Sequence, residues 1–366
     1  MSEYKKILVR ANTGGIGDFV WTTSAISLIK QFDKNTDITL ITSDIFIPLI
    51  DKKLDITKVL ICNKKYNYSK NKFIKIIYRI YWCIRNYSKI KKEKYDLMLF
   101  LDHCYITSFF AKYVYKIKKI EGPDILPYGY NTKNNSSKFY TQIIDLPLDF
   151  DRLHCMMAYQ IMTRTLFPTY NLSLPVLPDT KYLGEEIKQK FLQNTKEYKI
   201  ALCTYGSQKC KNWDIKNFKD LAEQLNNLYS STFFVLGNDN KEQKNAKYLQ
   251  DSLKNVDIRN LVNKTNLLEL KELLGNIDLL ISVDTGTMHI AAATNTKIIS
   301  LHGFSLPEHT MPISSKTKNI CTYEDCSPCV ADVYIHKKIC NNLKCMNNIT
   351  VDMVLKSVKE ILNEGK

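Results

Sequence analysis

The sequence of 366 residues contains no apolar run that approaches the roughly 18–20 residues needed to span a bilayer. Its opening stretch, MSEYKKILVRANTGG, also lacks the long apolar core of a signal peptide. We therefore expect a cytoplasmic protein whose thiols stay mostly reduced. Six of the 11 cysteines are scattered along the chain and are interpreted as small buried hydrophobes: Cys62, Cys83, Cys104, Cys155, Cys203 and Cys210.

Acidic residues are scarce relative to basic ones. The chain has 37 Asp and Glu against 52 Lys and Arg, a formal net charge of +15. Between Lys58 and Lys94, twelve Lys and Arg accompany one acid, Glu93. Such a local excess favours an anionic partner: a phosphorylated glycolipid, a membrane surface or nucleic acid. Composition does not choose among these, and biased base composition of the genome would also raise the overall charge.

Strand and helix patterns alternate along the first half of the chain. KKILVRA (5–11), DITLITS (37–43) and YDLMLFLD (95–102) read as buried strands. Helical spacing follows the first of them in DFVWTTSAISLIKQF and the last in YITSFFAKYVYKI. This alternation predicts an α/β fold, a parallel sheet with helices on both faces.

The same alternation restarts after the proline-rich stretch LFPTYNLSLPVLPDT (166–180), and a chain of this length exceeds one ordinary core. We therefore predict two doubly wound, Rossmann-like domains facing a central cleft. The predicted bounds are 1–170 for the first domain, 171–180 for the linker, 181–348 for the second domain and 349–366 for a C-terminal helix. Thr350 is the expected N-cap of that helix.

The segment Lys72–Arg85, KFIKIIYRIYWCIR, has the pattern of an amphipathic helix. One helical face carries five large apolar residues: Phe73, Ile77, Ile80, Tyr81 and Ile84. Lys75 and Arg79 lie on another face. Two interpretations fit: the apolar face docks onto the domain core, or the helix lies at an anionic membrane surface.

The loop TGGIGDFVW (13–21) follows the first strand but does not match known phosphate-binding loops. The third glycine of a G-x-G-x-x-G fingerprint would fall at Val20, and the Lys-Ser/Thr of a P-loop is missing. An acid near the end of the second strand, Asp44, leaves dinucleotide binding disfavoured but open. The loop's glycines permit close approach of another molecule to the backbone: Gly14, Gly15 and Gly17. Asp18 is either a structural acid at a helix N-terminus or a general base.

A second motif, SVDTGTMHIAAAT (282–294), places a strand end at Asp284 immediately before a helix. The free N–H groups at the start of that helix, Thr285-Gly286-Thr287-Met288, are suited to hold phosphate. His289 falls in the first turn. Taken alone, the turn also fits a purely structural role.

Taken together, these motifs resemble the heptosyltransferase family (glycosyltransferase family 9), bacterial enzymes that transfer heptose from ADP-heptose to the inner core of lipopolysaccharide or lipooligosaccharide. The resemblance runs nearly end to end and implies a GT-B-like fold. ILVRANTGGIGDFVWTTSAISLIK is similar to the family's first strand–loop–helix, which makes Asp18 the implied general base and the glycine loop the acceptor side. TYGSQKCKNWDIKNFKDLAEQL is similar to its Lys-x-Trp segment, so Lys211 would neutralise donor phosphate.

Two further segments carry the resemblance into the donor site. FFVLGNDNKEQKNA matches the stretch that contacts the nucleoside, which implies roles for Gly237, Asp239 and Glu242. DTGTMHIAAA matches the family's Asp-Thr-Gly-x-x-His-x-x-Ala-Ala signature and assigns six residues to donor binding: Asp284, Thr285, Gly286, Thr287, Met288 and His289. The chain departs from the family at LHGFSLPEH, where Gly-Pro-Thr-x-Pro is common, and the departure puts the donor sugar in question.

The remaining cysteines cluster between Cys321 and Cys345. CSPC (326–329), followed by CNNLKC (340–345) and Met346, resembles the family's C-terminal Cys-x-Pro-Cys…Cys…Cys-Met segment. The spacing of four thiols also fits a closed tetrahedral zinc or iron site of structural rather than catalytic kind: Cys326, Cys329, Cys340 and Cys345. Free thiols or a disulfide are the alternatives, and Cys321 is interpreted as a bystander.

The resemblance implies an inverting transfer without a catalytic cofactor. Asp18 would deprotonate the acceptor hydroxyl, Lys211 and the amides around Thr285–Met288 would hold the diphosphate, and domain closure would exclude water. The implied partners are ADP-heptose or a similar nucleotide sugar and an anionic glycolipid acceptor at the cytoplasmic face of the inner membrane, which the enzyme would contact peripherally. Nucleic acid is not an expected partner.

Several alternatives remain open. A relative using another nucleotide sugar, or a protein or other surface glycan as acceptor, would share the motifs, and so would a non-catalytic relative. A nicotinamide-dependent oxidoreductase would require the missing glycine fingerprint. A metal-clipped basic protein that binds nucleic acid would explain the charge and the cysteines, but not the two loops.

Overall fold

Two six-stranded parallel sheets, each with flanking helices, form the chain, and the predicted α/β class of two doubly wound domains is confirmed. The computed structural model describes residues 3–12, 14–63, 71–124, 135–146, 153–169, 172–329, 340 and 342–363. The chain divides into two units, Met1–Pro178 and Asp179–Lys366. This division falls inside the predicted linker 171–180.

The sheet of the first unit has the strand order β3-β2-β1-β4-β5-β6. Its strands are β1 Lys6–Arg10, β2 Asp37–Ser43, β3 Ile56–Cys62, β4 Leu97–Phe100, β5 Lys119–Pro123 and β6 Gln142–Ile144. The central strand β1 pairs with both β2 and β4 in parallel, so that Val9 lies between Leu40 and Leu99. Because a parallel sheet is covered on both faces, the middle of the central strand β1 is continuously apolar, with Ile7, Leu8 and Val9 all buried.

The α-helices described in the first unit are α1 Ile16–Phe32, α2 Lys72–Arg85, α3 Tyr87–Glu93, α4 Tyr105–Phe109 and α5 Cys155–Arg164. Shorter 3₁₀ turns lie at Asp44–Leu49, Lys52–Leu54 and Asn135–Phe139, and a π-helical turn, Phe110–Val114, continues α4. The helix α1 is buried along most of its length against α5, where the amide of Gln160 donates to the Ser24 hydroxyl at 3.1 Å.

The helix α2 forms over the predicted residues, but the interpretation that its apolar face docks onto the core is wrong. The predicted apolar face is exposed, and the helix instead packs through Trp82 and Cys83. The indole N–H of Trp82 donates to the Ile61 carbonyl of β3 at 2.6 Å. No helix in the described ranges combines the length and the apolar character that crossing a membrane requires.

The second unit repeats this topology with the order β12-β11-β10-β7-β8-β9. Its strands are β7 Tyr198–Cys203, β8 Ser231–Val235, β9 Asp257–Asn260, β10 Leu279–Val283, β11 Lys297–Leu301 and β12 Thr317–Ile320. Its α-helices are α6 Gly184–Phe191, α7 Ile215–Leu228, α8 Asn240–Ser252, α9 Leu267–Gly275, α10 Gly286–Ala292, α11 Pro307–Thr310, α12 Lys344–Asn347 and α13 Val351–Asn363. Two 3₁₀ turns lie at Lys181–Leu183 and Lys209–Lys211.

The C-terminal helix α13 belongs to the core of the second unit. Val354, Val358 and Ile361 are buried in the same apolar cluster as Phe218 of α7. The Thr350 hydroxyl accepts a hydrogen bond from the Met353 N–H at 3.2 Å, which is the N-cap contact that the sequence predicts.

Each sheet therefore has one switch point, where the strand order reverses and neighbouring loops leave in opposite directions. In the first unit this point lies between β1 and β4, and in the second between β7 and β10. Ligands of open α/β sheets bind at the carboxyl ends of the strands at such points. A ligand site is consequently expected in the loops after these four strands.

Gly122 provides a test of packing in the first sheet. A Cβ at this position of β5 would lie 2.8 Å from Phe100 Cβ and 2.9 Å from Tyr140 Cε2. We expect Gly122→Ala to lower the free energy of unfolding by about 1–3 kcal/mol, since overpacking forces neighbours to shift. Urea unfolding of Gly275→Ala is the matched control, because a Cβ there meets no atom within 4 Å. Equal effects of the two substitutions would contradict this packing.

Candidate active site

A buried ion pair lies at the switch point of the second unit. Asp284 directly follows β10, and Lys211 ends the 3₁₀ turn in the loop after β7. The Lys211 Nζ and the Asp284 Oδ2 are 2.9 Å apart, and their side chains are only 16% and 9% exposed. The two residues predicted for the donor site from distant parts of the sequence are thus in direct contact.

The carboxylate of Asp284 is held in its ionised form. Burial opposes ionisation, but Lys211, His302 and the Ser305 hydroxyl outweigh it and lower the pKa of Asp284 to about 2. The Ser305 Oγ donates to the same Oδ2 at 2.7 Å and lies 2.9 Å from the Thr310 hydroxyl. The acid is therefore an acceptor at neutral pH and is fixed from two sides.

The position of Lys211 is set by close packing. A Cβ on Gly206 would lie 3.0 Å from Lys211 Cβ and 3.4 Å from the Asp284 carbonyl oxygen, so a larger residue would displace the lysine stem. On the other side, the ammonium lies 5.1 Å from the centre of the Phe304 ring. A cation held by a carboxylate and an aromatic face is preorganised for an anionic ligand.

The short helix α10 begins beside this pair. Its N-cap is Thr285, with Gly286 at the first helical position. Thr285, Gly286 and Thr287 are partly exposed, whereas Met288 and His289 are buried. Of the six predicted donor residues in this motif, these three partly exposed residues are open to a ligand, whereas the buried Met288 and His289 support the turn from within.

The side-chain carboxylate of Glu242 packs inside the loop after β8. Gly237 has a φ of +155°, and a Cβ there would lie 1.9 Å from Glu242 Oε2. That oxygen accepts hydrogen bonds from the N–H groups of Asn238, at 2.8 Å, and Asp239, at 3.2 Å. Asp239 in turn caps α8 by accepting from the Lys241 N–H at 2.7 Å. Glu242 is buried, so it shapes the loop, while Asp239 is exposed.

In the first unit, Asp18 lies in the first turn of α1, next to the switch point. Its Oδ2 accepts a hydrogen bond from the N–H of Gly15, the N-cap, at 3.0 Å. Gly14 is exposed, whereas Gly15, Gly17 and Asp18 are partly buried. The positive end of the helix dipole favours the ionised carboxylate at this place. The geometry is that of the structural acid: Oδ2 holds the amide of the N-cap, and Oδ1 is buried.

A second buried ion pair lies at this switch point. Arg10, the last residue of β1, pairs with Asp102, which follows β4, and both are buried. Burial raises the pKa of Asp102 although Arg10 and Arg79 oppose this effect. Burial, with Arg10 nearby, also lowers the pKa of His103 to about 4. Within the described ranges, neither ring nitrogen of His103 has a hydrogen-bond partner.

In the part of the chain that the structure describes, the cysteines predicted to bind a metal are not grouped as a ligand set. Cys326 is exposed, whereas Cys345 is buried against Gly303, whose added Cβ would lie 2.6 Å from its Sγ. Burial raises the pKa of the Cys345 thiol to about 11, and Cys329, Cys326 and Cys340 add to this effect. Among the residues described, no three His, Cys, Asp or Glu side chains are grouped to hold a metal. The four-thiolate zinc or iron site is therefore not supported.

Sequence reasoning missed several residues that complete the donor-side loops. His302, Phe304 and Ser305 come from the loop after β11, the segment LHGFSLPEH that departs from the family pattern. Arg10, Asp102 and His103 in the first unit were missed as well. One signal was available, since polar residues directly after a buried strand lie at the carboxyl edge of a parallel sheet.

Two Rossmann-type units with charged switch points are typical of enzymes that bind nucleotides. The model of glycosyltransferase family 9 (heptosyltransferase) matches residues 85–340, so the chain belongs to that family and is a glycosyltransferase. This result sets aside the oxidoreductase and the nucleic-acid-binding alternatives.

Curated relatives of the chain are also named as heptosyltransferases. Lipooligosaccharide heptosyltransferase 2 of Campylobacter jejuni serotype O:6 is 23% identical over 94% of this chain and 96% of its own length. The serotype O:2 protein of the same name is 26% identical over 44% of this chain and about half (49%) of its own length. The Haemophilus influenzae enzyme of that name is 34% identical over 29% of this chain and 31% of its own.

Solved structures share the fold. The Escherichia coli ADP-heptose lipopolysaccharide heptosyltransferase II has a TM-score of 0.74 at 17% identity and covers 98% of this chain and 99% of its own. A family 9 glycosyltransferase of Veillonella parvula gives the same TM-score and identity, over 99% and 98%. E. coli heptosyltransferase WaaC, solved with ADP-2-deoxy-2-fluoro heptose, has a TM-score of 0.64 at 14% identity over 97% and 99%.

The buried pair in the second unit predicts a large effect of Asp284→Asn. The substitution leaves the Lys211 ammonium buried without its counter-charge, so we expect a loss of about 3–5 kcal/mol of unfolding free energy at neutral pH. The pKa of Asp284 is lowered from 3.8 to about 2. The stability that the ionised Asp284 contributes is therefore present above pH 3.8 and is lost as the pH falls through 2. Denaturant unfolding across this range measures it.

Glu223→Gln is the matched control for that measurement. It removes an exposed pair with Lys219 at 3.1 Å, which should change stability by less than about 1 kcal/mol. Comparable losses in the two variants would contradict a special role of the buried pair.

The loop after β8 predicts a pH-dependent stability. Burial raises the pKa of Glu242 from 4.5 to about 7. The folded state therefore holds the proton more tightly, and this part of the stability is present below pH 4.5 and lost as the pH rises through 7. Glu242→Gln should remove that decline in denaturant titrations at pH 5 and pH 8. Glu269→Gln is the control, because Glu269 has the same place in the capping box of α9 but a lowered pKa. A decline that persists in Glu242→Gln would contradict the assignment.

Proposed function

We propose that the protein is an inverting glycosyltransferase that moves heptose from ADP-heptose to the inner core of lipopolysaccharide or lipooligosaccharide, with Asp18 as the general base. Membership of the heptosyltransferase family supports the reaction class. The observation that carries the proposal is the Lys211–Asp284 pair, because it fixes the Lys211 ammonium at the switch point of the second unit.

The second unit would bind the donor. Lys211 and the accessible N–H groups of Thr285–Thr287 would hold the diphosphate, and Met288 and His289 would keep that turn in shape. The loop of Gly237 and Asp239, shaped by Glu242, would contact the nucleoside. E. coli WaaC has been solved with ADP and with ADP-2-deoxy-2-fluoro heptose. By analogy, these complexes support an ADP-linked donor for this chain.

The first unit would bind the acceptor. A sugar hydroxyl would approach Asp18 at the loop of Gly14, Gly15 and Gly17, the first of which is exposed. The hydrogen bond from the Gly15 N–H fixes one carboxylate oxygen of Asp18, so the carboxylate is oriented before the acceptor arrives. Lys and Arg of the basic stretch 58–94 are suited to the phosphate and carboxylate groups of an anionic glycolipid.

The chemistry needs one base and one stabilised leaving group. The acceptor oxygen attacks the anomeric carbon while its proton passes to Asp18, and the bond to the diphosphate breaks, which leaves ADP beside Lys211. A single displacement inverts the anomeric centre. Positive charge and amide dipoles placed at the leaving group stabilise the charge that develops there. No catalytic cofactor enters this scheme.

The donor sugar and the acceptor are the open elements of the proposal. The loop that departs from the family pattern supplies Phe304 and Ser305 to the surroundings of Lys211 and Asp284. A different nucleotide sugar, or a protein or other surface glycan as acceptor, is therefore the second candidate. With the glycolipid acceptor, the reaction would take place at the cytoplasmic face of the inner membrane.

The proposal is tested by incubating the purified chain with a panel of nucleotide sugars and a delipidated core oligosaccharide, following nucleotide release and product mass. We expect consumption of ADP-heptose. Asp18→Asn keeps an acceptor for the Gly15 N–H but not the base, so its kcat should fall by about 10²–10⁴-fold. Lys211→Gln should raise the KM for the donor and lower kcat, since it removes charge needed in the transition state.

Asp44→Asn is the matched control for the base. Asp44 also follows a strand of the first unit and accepts a backbone N–H, from Ile45 at 3.1 Å. Its substitution should leave turnover close to that of the wild type. Turnover of Asp18→Asn at the wild-type rate would exclude the proposed base, and consumption of another nucleotide sugar alone would replace the proposed donor.

A further inference from the structure

The helix α2 presents its apolar face to solvent. Seven of the large apolar side chains that the structure exposes lie on this one helix: Phe73, Ile74, Ile76, Ile77, Ile80, Tyr81 and Ile84. Phe73, Ile77 and Ile84 are 77%, 66% and 61% exposed. They follow one another at helical spacing, so they form a stripe along the outer side of the helix. Exposed apolar patches of this kind mark interaction sites.

An exposed group of aromatic rings lies on the neighbouring helix. Tyr105, Phe109 and Tyr113, on α4 and the π-helical turn after it, are all exposed. Phe109 contacts Tyr113, with ring centres 5.1 Å apart, and both rings meet Phe139 edge-on. Since α2 and α4 are in contact, the two apolar surfaces belong to adjacent elements. Tyrosine and phenylalanine are favoured where a protein meets the headgroup region of a bilayer.

The surroundings of this surface are cationic. Lys72, Arg85, Lys89, Lys91 and Lys92 are exposed on α2 and α3. The one acid of the described stretch 71–93 is Glu93, and it is already engaged by Lys6 at 3.2 Å and Lys58 at 3.1 Å. An anionic surface is therefore complementary to the patch. A second copy of the chain is not, because it would bring like charges together.

A groove accompanies the helix on its inner flank. It lies between α2 and the edge strand β3, has a volume of about 810 Å³ and is lined by apolar side chains that include Val59, Ile74 and Ile77. Arg85 and Lys89 also line it. An apolar groove with cations beside it fits an anionic lipid, because the groove would take the acyl chain and the cations would contact the phosphate.

We propose that α2 and α4 form a docking surface for an anionic phospholipid bilayer, with the stripe of Phe73, Ile77 and Ile84 entering the membrane interface. This inference deepens the proposed function. It rests on that proposal in one respect, namely that the acceptor is a membrane lipid. A helix with an apolar stripe and flanking lysines lies in the plane of the interface, its stripe among the acyl chains and its cations at the phosphates.

Vesicle co-sedimentation of the full chain tests the proposal. The wild type should bind vesicles of phosphatidylglycerol and phosphatidylethanolamine but not vesicles of phosphatidylcholine alone. The triple variant Phe73→Ser/Ile77→Ser/Ile84→Ser should lose at least about tenfold in partitioning, since binding scales with buried apolar area. Lys72→Glu/Arg85→Glu/Lys89→Glu should lose binding to the anionic vesicles as well. These side chains are exposed, so circular dichroism should confirm that both variants remain folded.

The matched control is Tyr182→Ser/Leu228→Ser/Met353→Ser, which removes three exposed apolar side chains of the second unit and should bind as the wild type does. Failure of the wild type to bind, or equal binding by the α2 variant, overturns the proposal. So does a self-association in sedimentation velocity that the α2 variant abolishes without any vesicle binding, because the surface would then serve a second copy.

An activity measurement separates this proposal from the proposed function. The Phe73→Ser/Ile77→Ser/Ile84→Ser variant should transfer sugar to a water-soluble, delipidated acceptor at the wild-type rate, and lose activity only toward acceptor embedded in vesicles. If no sugar is transferred to any acceptor while the wild type still binds anionic vesicles, the proposed function fails and the docking surface stands.

Discussion

A buried ion pair occupies the switch point of each unit. Arg10 pairs with Asp102 across β1 and β4, and Lys211 pairs with Asp284 across β7 and β10. Taking two charges out of water is costly, and a buried pair adds little stability compared with apolar residues of similar size. The charged residues at the two switch points are therefore better explained by a functional role than by a contribution to the stability of the fold. In both units they fix the loops that leave the sheet in opposite directions.

The two pairs differ in how firmly their carboxylates are ionised. Asp284 has the Ser305 hydroxyl and His302 in addition to Lys211, and its pKa is lowered to about 2. The pKa of Asp102 is raised, because burial outweighs the guanidinium groups of Arg10 and Arg79. The charge of Lys211 is thus already balanced before a ligand binds. The proposed diphosphate would need further donors there, and the amides of Thr285–Thr287, which directly follow Asp284, are placed to supply them.

The sequence predicts the fold well where patterns are long. Continuous apolar runs locate β1, β2 and β4, and the Asp-Thr-Gly turn places Asp284 at the end of β10. The edge strands β6 (QII) and β12 (TKNI) are short and lack a continuous apolar run of this kind, so no pattern marks them. The partners of Asp284 could not be predicted from the sequence for another reason. Ser305 reaches Asp284 because β10 and β11 pair, with Val283 opposite Leu301. Such contacts depend on register, which a strand pattern does not specify.

The orientation of α2 illustrates the same limit. An amphipathic pattern states that a helix has two faces but not which of them meets the protein, and here the apolar face is outside. The inner side carries Arg79, whose charge lowers the pKa of Asp102 and, with Arg10, outweighs burial to lower that of the Cys104 thiol. One helix therefore joins the exposed apolar stripe to the charged switch point of the first unit.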